Sequence, residues 1–435
     1  MRWWAAVALA LLIGNAAGIV WLWYANGNVT EVDDTAELVT SLARLTGLLA
    51  AYLALVQVLL LARLPWLDRL LGFDHLTVVH RWNGNVTIAL VVAHTVLSVW
   101  GYALLDDVSL WAEVETLLGA GVYPGMITAT VGTALLLVVG LTSVAIARRR
   151  LPYEWWYAIH LAAYAGIALA WFHQIPAGNE LALDELAANY WRALYIVTLG
   201  AVVVFRLGVP AVNALRFRLR VTAVVPEGRD VVSVRITGRR LDRLDARPGQ
   251  FFLWRFLTRG RWWEAHPFSL SEAPDGKSLR MTTKAVGDFT SNMRELEPGT
   301  RVVAEGPFGV FTSDARRCDK TVLIAGGIGI TPIRALLDEL DGDTILLYRV
   351  IDADEAIFAD ELDRVRARVE VIVGDHLDEH GHKLLSPEHL RELVPDLAER
   401  DVFISGPPGM VGTIEKNVRD AGVPRRQVHS ERFAL

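Results

Sequence analysis

Along the first half of the chain, apolar positions run in stretches too long for the interior of an ordinary soluble domain. Six of them suit helices that cross a bilayer: about Trp3–Tyr24, Ala36–Leu61, Leu76–Tyr102, Gly125–Ala147, Trp155–Ile175 and Ala188–Val209. At 1.5 Å per residue, about 20 apolar residues span a hydrocarbon core of about 30 Å. The first stretch is too long for the apolar region of a signal peptide and has no clear cleavage site, so an uncleaved helix is expected. After Pro210 the pattern shortens to alternating segments, Phe217–Val224, Val231–Thr237, Gln250–Arg255, Leu279–Lys284 and Arg301–Glu305. Pro226–Gly228, Pro248–Gly249, Pro274–Gly276 and Pro298–Gly299 separate them. Strands at this spacing predict a small antiparallel barrel. From Thr321 the apolar runs Val322–Ala325, Ile345–Tyr348, Val369–Val373 and Val402–Ile404 alternate with helical stretches. That rhythm predicts a parallel, doubly wound sheet. The expected fold is multidomain: a six-helix transmembrane bundle over 1–212, an antiparallel β-barrel over 213–318 and an α/β domain with a parallel sheet over 319–435.

Composition narrows the chemistry. The chain has 435 residues, 52% of them hydrophobic, and a net charge of −6, which gives no reason to expect nucleic acid. Cys318 is the only cysteine, which excludes an intramolecular disulfide, a four-cysteine zinc site and a cysteine-ligated iron–sulfur cluster. Charge also orients the helices. Arg63, Arg69, Arg81, Arg148, Arg149, Arg150 and the Arg206–Arg220 series fall on one side of the spans. Glu31, Asp33, Asp34, Asp106, Asp107, Glu113, Glu115, Glu180, Asp184 and Glu185 fall on the other. By the positive-inside rule both termini and the whole second half are cytoplasmic, in an integral protein of the cell membrane.

Four histidines lie within the apolar stretches. His80 and His94 are 14 residues apart in the third, and His160 and His173 are 13 apart in the fifth. Each separation is roughly 20 Å of helix, which sets one histidine toward each membrane face. Two such helices side by side would present two stacked pairs, the ligand set for two bis-imidazole haems. An intramembrane histidine can also bridge helices or line a proton path. Two pairs of nearly equal separation are harder to explain in that way. Fourteen positions return to within ~40° of the starting face, whereas thirteen leave an offset of ~140°. The fifth helix is therefore expected to bulge, bend or present its histidines from different flanks, with a distortion between His160 and His173. The orientation above places His80 and His160 inside and His94 and His173 outside, on two helices expected to be antiparallel. Bis-histidine ligation leaves no open iron position, so an acceptor would react at the haem edge, near Trp100, Trp171 and Phe172. Arg81 could pair with haem propionates or act as a snorkelling anchor, and His75 is interfacial. His376, His380, His382 and His389 neighbour Asp375, Asp378 and Glu379 without a metal-ligand spacing, so solvent exposure is expected there.

Several motifs in the second half point to one family. His266-Pro267-Phe268-Ser269 resembles the flavin motif of the membrane ferric reductase and NADPH oxidase branch of the ferredoxin-NADP reductase superfamily. Taken alone, an aromatic and a hydroxyl on a strand read as barrel core. Gly287, Asp288, Phe289 and Thr290 are similar to that family's pyrophosphate loop, where a helix N-terminus suits a diphosphate, although Asp288 and Thr290 also work as plain N-caps. Glu305-Gly306-Pro307-Phe308-Gly309 matches the turn that ends the family's flavin domain, and is also an ordinary tight turn. Between a strand and a helix starting near Thr331 or Pro332, Gly326, Gly327 and Gly329 allow close approach to a pyrophosphate. Arg349 is placed to meet a 2′-phosphate, favouring NADPH over NADH, or to stand as a solvated strand-end arginine. Ser405-Gly406-Pro407-Pro408 stands where the family has Cys-Gly-Pro-Pro, which puts any thiol contribution to hydride transfer in question. Glu431-Arg432-Phe433-Ala434-Leu435 resembles the family's aromatic-bearing tail.

The resemblance covers nearly the whole chain and implies FAD, two b-type haems and NADPH as cofactors. It implies that Phe268 packs on the flavin and Ser269 bonds near its redox-active nitrogen, that His266 lies by the ribityl or phosphate, and that Phe433 shields the flavin face. Ser269, Ser405 and Phe433 are the expected catalytic residues. The implied function is electron transfer from cytoplasmic NADPH, through FAD and two haems, to an extracytoplasmic acceptor: oxygen, giving superoxide, or a ferric chelate. Two other readings are a cytochrome-type subunit serving a periplasmic partner protein, and a transporter with a nucleotide-binding domain.

Overall fold

The computed structural model describes every residue except 1, 120–122, 145–149, 152, 178, 260, 376–382 and 434–435. Arg148, Arg149, His376, His380, His382, Asp378, Glu379, Ala434 and Leu435 therefore lie outside the described residues. The chain divides into two compact units, Met1–Leu207 and Gly208–Leu435.

The first unit is helical: α1 (Arg2–Ala25), α2 (Thr35–Leu60), α3 (Pro65–Leu71), α4 (Phe73–Leu105), α5 (Leu110–Leu118), α6 (Met126–Ser143), α7 (Tyr153–Ala177), α8 (Asn179–Leu183) and α9 (Glu185–Val202). Short polar side chains start several of them. Asp34 accepts from the Glu37 amide at 2.8 Å ahead of α2, and Asp184 accepts from the Leu186 and Ala187 amides ahead of α9. Among the described residues five helices are long and apolar enough to cross a membrane: Thr35–Leu60, His75–Leu105, Met126–Ser143, Trp155–Ala177 and Glu185–Phe217. The last runs through a π-helical stretch, Val203–Gly208, into α10 (Val209–Phe217). At the N-terminus the apolar helix is a shorter one, Leu9–Ala25, so five of the six expected spans are present among the described residues.

Small residues set the helix spacing. A Cβ on Gly132 of α6 would stand 2.6 Å from the Gly166 carbonyl of α7, and one on Gly101 of α4 would stand 2.9 Å from the Thr40 amide of α2. Apolar side chains gain little by leaving lipid for protein, so close backbone approach of this kind supplies much of the packing energy.

Two expectations about the histidine helices are corrected. His80 meets His160 and His94 meets His173, so α4 and α7 run in the same direction and are not antiparallel. One helix crossing, α6, separates them, and an odd number of crossings restores direction. The expected distortion between His160 and His173 is also missing, since α7 is α-helical from Tyr153 to Ala177, with Pro176 only in its last turn. The two side chains reach α4 from different flanks of a regular helix.

In the second unit, six antiparallel strands precede five parallel ones. β1 (Arg220–Pro226), β2 (Val231–Thr237) and β5 (Ser278–Lys284) form one sheet, and β4 (His266–Ser269), β3 (Phe251–Phe256) and β6 (Val302–Phe308) form another. Bridging pairs Arg220–Arg301 and Leu270–Met281 link β1 to β6 and β4 to β5. Phe252, Trp254, Phe256, Ile236, Leu270 and Met281 fill the space within. Phe217, expected to begin the first strand, instead ends α10 and is buried in this core.

The parallel sheet has the order β11 (Val428–Arg432), β10 (Asp401–Gly406), β7 (Thr321–Gly326), β8 (Thr344–Val350), β9 (Arg368–Val373). The edge strand β11 was not foreseen, because only a run of apolar residues marks a buried strand and Val428-His429-Ser430-Glu431-Arg432 is not one. Every residue of the central strands β7 and β10 is buried.

Candidate functional site

In the first unit the site is built from helix neighbours. The His80 and His160 rings lie 6.1 Å apart, centre to centre, at 55°, and His94 and His173 lie 6.2 Å apart at 28°. Two imidazoles on opposite sides of one iron require nearly this separation: about 2 Å for each metal–nitrogen bond and about 1 Å from each nitrogen to its ring centre, roughly 6 Å in all. The outer ring atoms of the α4 histidines are already committed. His80 Nδ1–H donates to the Gln57 carbonyl at 3.1 Å, and His94 Nδ1–H donates to the Ala43 carbonyl at 2.8 Å. A carbonyl only accepts, so in each neutral ring the lone pair is on Nε2, the nitrogen left for a metal. On α7, His160 Nδ1 meets the Ser143 hydroxyl at 3.3 Å and its ring stacks on Trp156 at 5.0 Å. A largely apolar cavity of about 330 Å³ reaches from His94 and His173 to Tyr102, Tyr123 and Tyr195. Its size and lining suit a large flat apolar group. Arg81 is exposed, one residue beyond His80.

The sequence reading missed the residues that hold these rings. Gln57 Nε2 donates to the His80 carbonyl at 2.8 Å, and Gln57 Oε1 accepts from Asn83 at 2.7 Å. A Cβ on Gly47 would stand 2.7 Å from His94 Nδ1, and one on Gly125 would stand 2.6 Å from the Phe172 carbonyl beside His173. The available signal was the polar or glycine residue inside an apolar run, which marks a helix contact in a membrane.

In the second unit the motif residues gather in two places. On β4, the His266 ring stacks on Phe289 at 3.8 Å, and Phe268 lies parallel to Phe289 at 6.2 Å. Pro267 is exposed between them. Burial lowers the His266 pKa, against the opposing pull of Glu264. Ser269 is buried, and its hydroxyl has no hydrogen-bond partner among the described residues. Thr290, in the short helix α11 (Asp288–Ser291), accepts from the Val286 and Gly287 amides at 2.9 and 3.1 Å and so fixes the turn at Gly287.

The second place is the end of β7 and β10. A Cβ on Gly329 would stand 2.3 Å from the Ser405 carbonyl, and Gly327 and Gly406 have φ of +52° and +158°. This cradle leads into α12 (Ile330–Leu337), whose first turn contains Thr331 and Pro332, both buried. Ser405 is fully buried and its hydroxyl has no partner among the described residues. An orphaned buried hydroxyl costs about 1–3 kcal/mol, so the Ser269 and Ser405 hydroxyls fit polar groups that bind beside them. Beyond the short helices α13 (Ala359–Leu362) and α14 (Pro387–Leu393), Pro407 caps α15 (Pro408–Asp420), and the Phe433 amide donates to the Gly406 carbonyl at 3.1 Å. Arg349 pairs in register with Gly326, while its guanidinium contacts the Gly374 carbonyl and Asp375, each at 3.3 Å. His389 Nδ1 accepts from the Leu385 amide at 3.1 Å, and the described residues hold no group of three metal-ligating side chains.

Comparison with known proteins agrees with this division. Residues 46–171 match the family of the ferric reductase like transmembrane component, and residues 215–312 match an FAD-binding domain. Ferredoxin--NADP reductase B of Sorangium cellulosum is 31% identical over 188 residues, which is 38% of this chain and 77% of that protein. Ferric/cupric reductase transmembrane component 1 of Candida albicans is 26% identical over 315 residues, which is 68% of this chain and 37% of that protein. The chain thus spans well under half the length of the Candida relative. The ferredoxin reductase in carbazole 1,9a-dioxygenase superposes with a TM-score of 0.42 at 23% identity, over 50% of this chain and 69% of that one. The chain thus carries a segment matching the ferric reductase like transmembrane component over residues 46–171 and an FAD-binding domain over residues 215–312, and it belongs with the ferredoxin-NADP reductases as an NAD(P)H-dependent oxidoreductase.

Proposed function

We propose that the chain carries electrons from NADPH across a membrane, through FAD and two bis-histidine haems, to oxygen or a chelated ferric ion on the far side. The observation that carries this reading is the pair of histidine couples 6.1 and 6.2 Å apart. When bound, flavin accepts a hydride and releases single electrons, and haem iron relays them one at a time. The residues supply position and environment. His80 and His160 hold one haem, and His94 and His173 hold the other, with Nδ1 of the α4 histidines tied to backbone carbonyls. The Leu9–Ala25 segment completes six spans, so that the arginine-rich loops and both termini share the cytoplasmic side. In the second unit the linked antiparallel sheets act as one flavin barrel over 213–318, and the parallel sheet over 319–435 takes the nucleotide.

His266, Phe268 and Phe289 offer aromatic faces to FAD, Ser269 offers its free hydroxyl to the flavin ring, and the turn of Gly287, Asp288 and Thr290 takes the pyrophosphate. Gly326, Gly327, Gly329 and Gly406 leave room for the NADPH pyrophosphate, while Thr331, Pro332 and Pro407 shape the two helix starts beside it. Arg349 reaches the 2′-phosphate by exchanging its 3.3 Å contact with Asp375. Ser405 and Phe433 border the nicotinamide, the serine by its free hydroxyl and the phenylalanine by covering the flavin face. Arg81 pairs with haem propionates at the cytoplasmic surface.

The test is a visible spectrum of the purified protein before and after NADPH, followed by an acceptor assay. A reducible band equivalent to two haems is expected, and its absence overturns the proposal. Cytochrome c reduction that superoxide dismutase abolishes identifies oxygen as the acceptor. Dismutase-insensitive reduction of a ferric chelate identifies iron.

A further inference from the structure

The second unit has one end unlike the rest of its surface. Three chain segments converge there by direct hydrogen bonds. The Arg239 amide donates to the Phe217 carbonyl, where the chain leaves α10. Arg220 bridges Arg301 across the two sheets, and the Leu257 amide donates to the Arg301 carbonyl at 2.9 Å. The β3–β4 hairpin, with Arg259, Trp262 and Trp263, projects from this point.

Arg216, Arg218, Arg220, Arg239, Arg240 and Arg301 are all exposed here, and none forms an ion pair with a described residue. Their polar contacts are with main-chain oxygens, Arg218 to Leu215 and Arg220 to Gly299, while Arg216 lies over the Phe217 ring. The acidic residues of the same segments, Asp242, Asp245, Glu264 and Glu297, are outnumbered by the arginines. Apolar side chains stand exposed among the arginines: Val212 and Leu215 on α10 are 60% and 72% exposed, and Trp262 on the hairpin is 63% exposed. Exposed tryptophan and aliphatic groups interleaved with arginine match the headgroup layer of a bilayer, which takes an indole ring at its apolar boundary and a guanidinium at its phosphates. The chain enters this end directly from the apolar span Glu185–Phe217, so a membrane surface lies within reach.

We propose that this arginine-rich end of the second unit docks on the anionic lipid headgroups of the leaflet from which the span emerges. Arg216, Arg218, Arg239 and Arg301 pair with lipid phosphates, and Leu215 and Trp262 enter the interface. The proposal goes beyond electron transfer, since it names a lipid preference that the redox groups do not require.

The full-length chain is placed in nanodiscs of phosphatidylcholine alone, and in discs containing roughly one-third phosphatidylglycerol. Hydrogen exchange is then read at residues 238–241 and 257–263. Exchange about tenfold slower in the anionic discs, reversed at high salt, is expected. An Arg239→Glu/Arg301→Glu variant that still binds flavin loses that protection. Equal exchange in the two lipids overturns the proposal. So does protection of the same size in detergent and in both discs, which would mean that protein covers this end. The lipid comparison on the unaltered chain stands even if the variant fails to fold.

Discussion

The two histidine pairs are nearly the same distance apart but are held in different ways. Each α4 histidine is tied to a main-chain carbonyl of α2, at 3.1 Å for His80 and 2.8 Å for His94. Around His80 the side chains of Gln57 and Asn83 add a hydrogen-bonded clamp, whereas around His94 the neighbour is Gly47, which offers only absence of bulk. On α7, His160 has a hydroxyl and a stacked indole, while His173 has neither. The rings of the first pair are tilted by 55° and those of the second by 28°. Pair separation is set by the helix backbones, and ring orientation by the few side chains that touch each ring. Substitutions at the two levels should therefore have different signatures.

The largest expected effect is from removing a ring. His94→Ala should reduce haem content from two per chain toward one and lower acceptor reduction by about 100-fold, while NADPH still bleaches the flavin. Full haem content in that variant would remove the paired-ligand model. Gly47→Val comes next, because its Cβ would fall 2.7 Å from His94 Nδ1. It should destabilise the first unit by about 2 kcal/mol and empty the His94–His173 position selectively, measured by haem content and thermal melting. Loss of both haems together would mean that the pairs are not independently held.

Gln57→Leu should cost about 1 kcal/mol and alter the low-spin electron paramagnetic resonance signal of one haem only, that of the His80–His160 pair. Ser143→Ala should leave haem content unchanged and shift the same signal slightly. If it shifts the other signal, the assignment of Ser143 to His160 fails.

The smallest effect lies in the second unit, where burial lowers the pKa of both His266 and His429, against opposing carboxylates Glu264 and Asp401. Both rings therefore take up protons at lower pH in the fold than in the unfolded chain, where the ordinary histidine pKa is about 6.5. Stability from these groups is therefore complete above about pH 6.5 and declines as the pH falls below it. The melting temperature should drop between about pH 7.5 and pH 5.5, and His429→Gln should reduce the drop. A pH-independent melting temperature would contradict the burial of these rings.

Long apolar runs and the period-two strands made most of the architecture legible, because burial in lipid or in a sheet dictates residue type at every position. The four histidines were legible for the same reason, as polar groups with no ordinary place in such runs. β11 was not, since an edge strand half open to water needs no apolar run. Gln57, Gly47 and Ser143 were not, because their roles depend on which helix lies opposite.

By itself the sequence determined the apolar spans, the strand rhythm, the glycine cluster at Gly326–Gly329 and the histidine spacing. These are properties of the local chain and its preference for lipid or water. Only the tertiary structure decided that α4 and α7 run in the same direction, that a regular α7 brings His160 and His173 to their partners from different flanks, and that Gln57 and Ala43 turn the rings. Those facts depend on contacts between residues 23 to 80 positions apart, on different helices, and no local pattern encodes them.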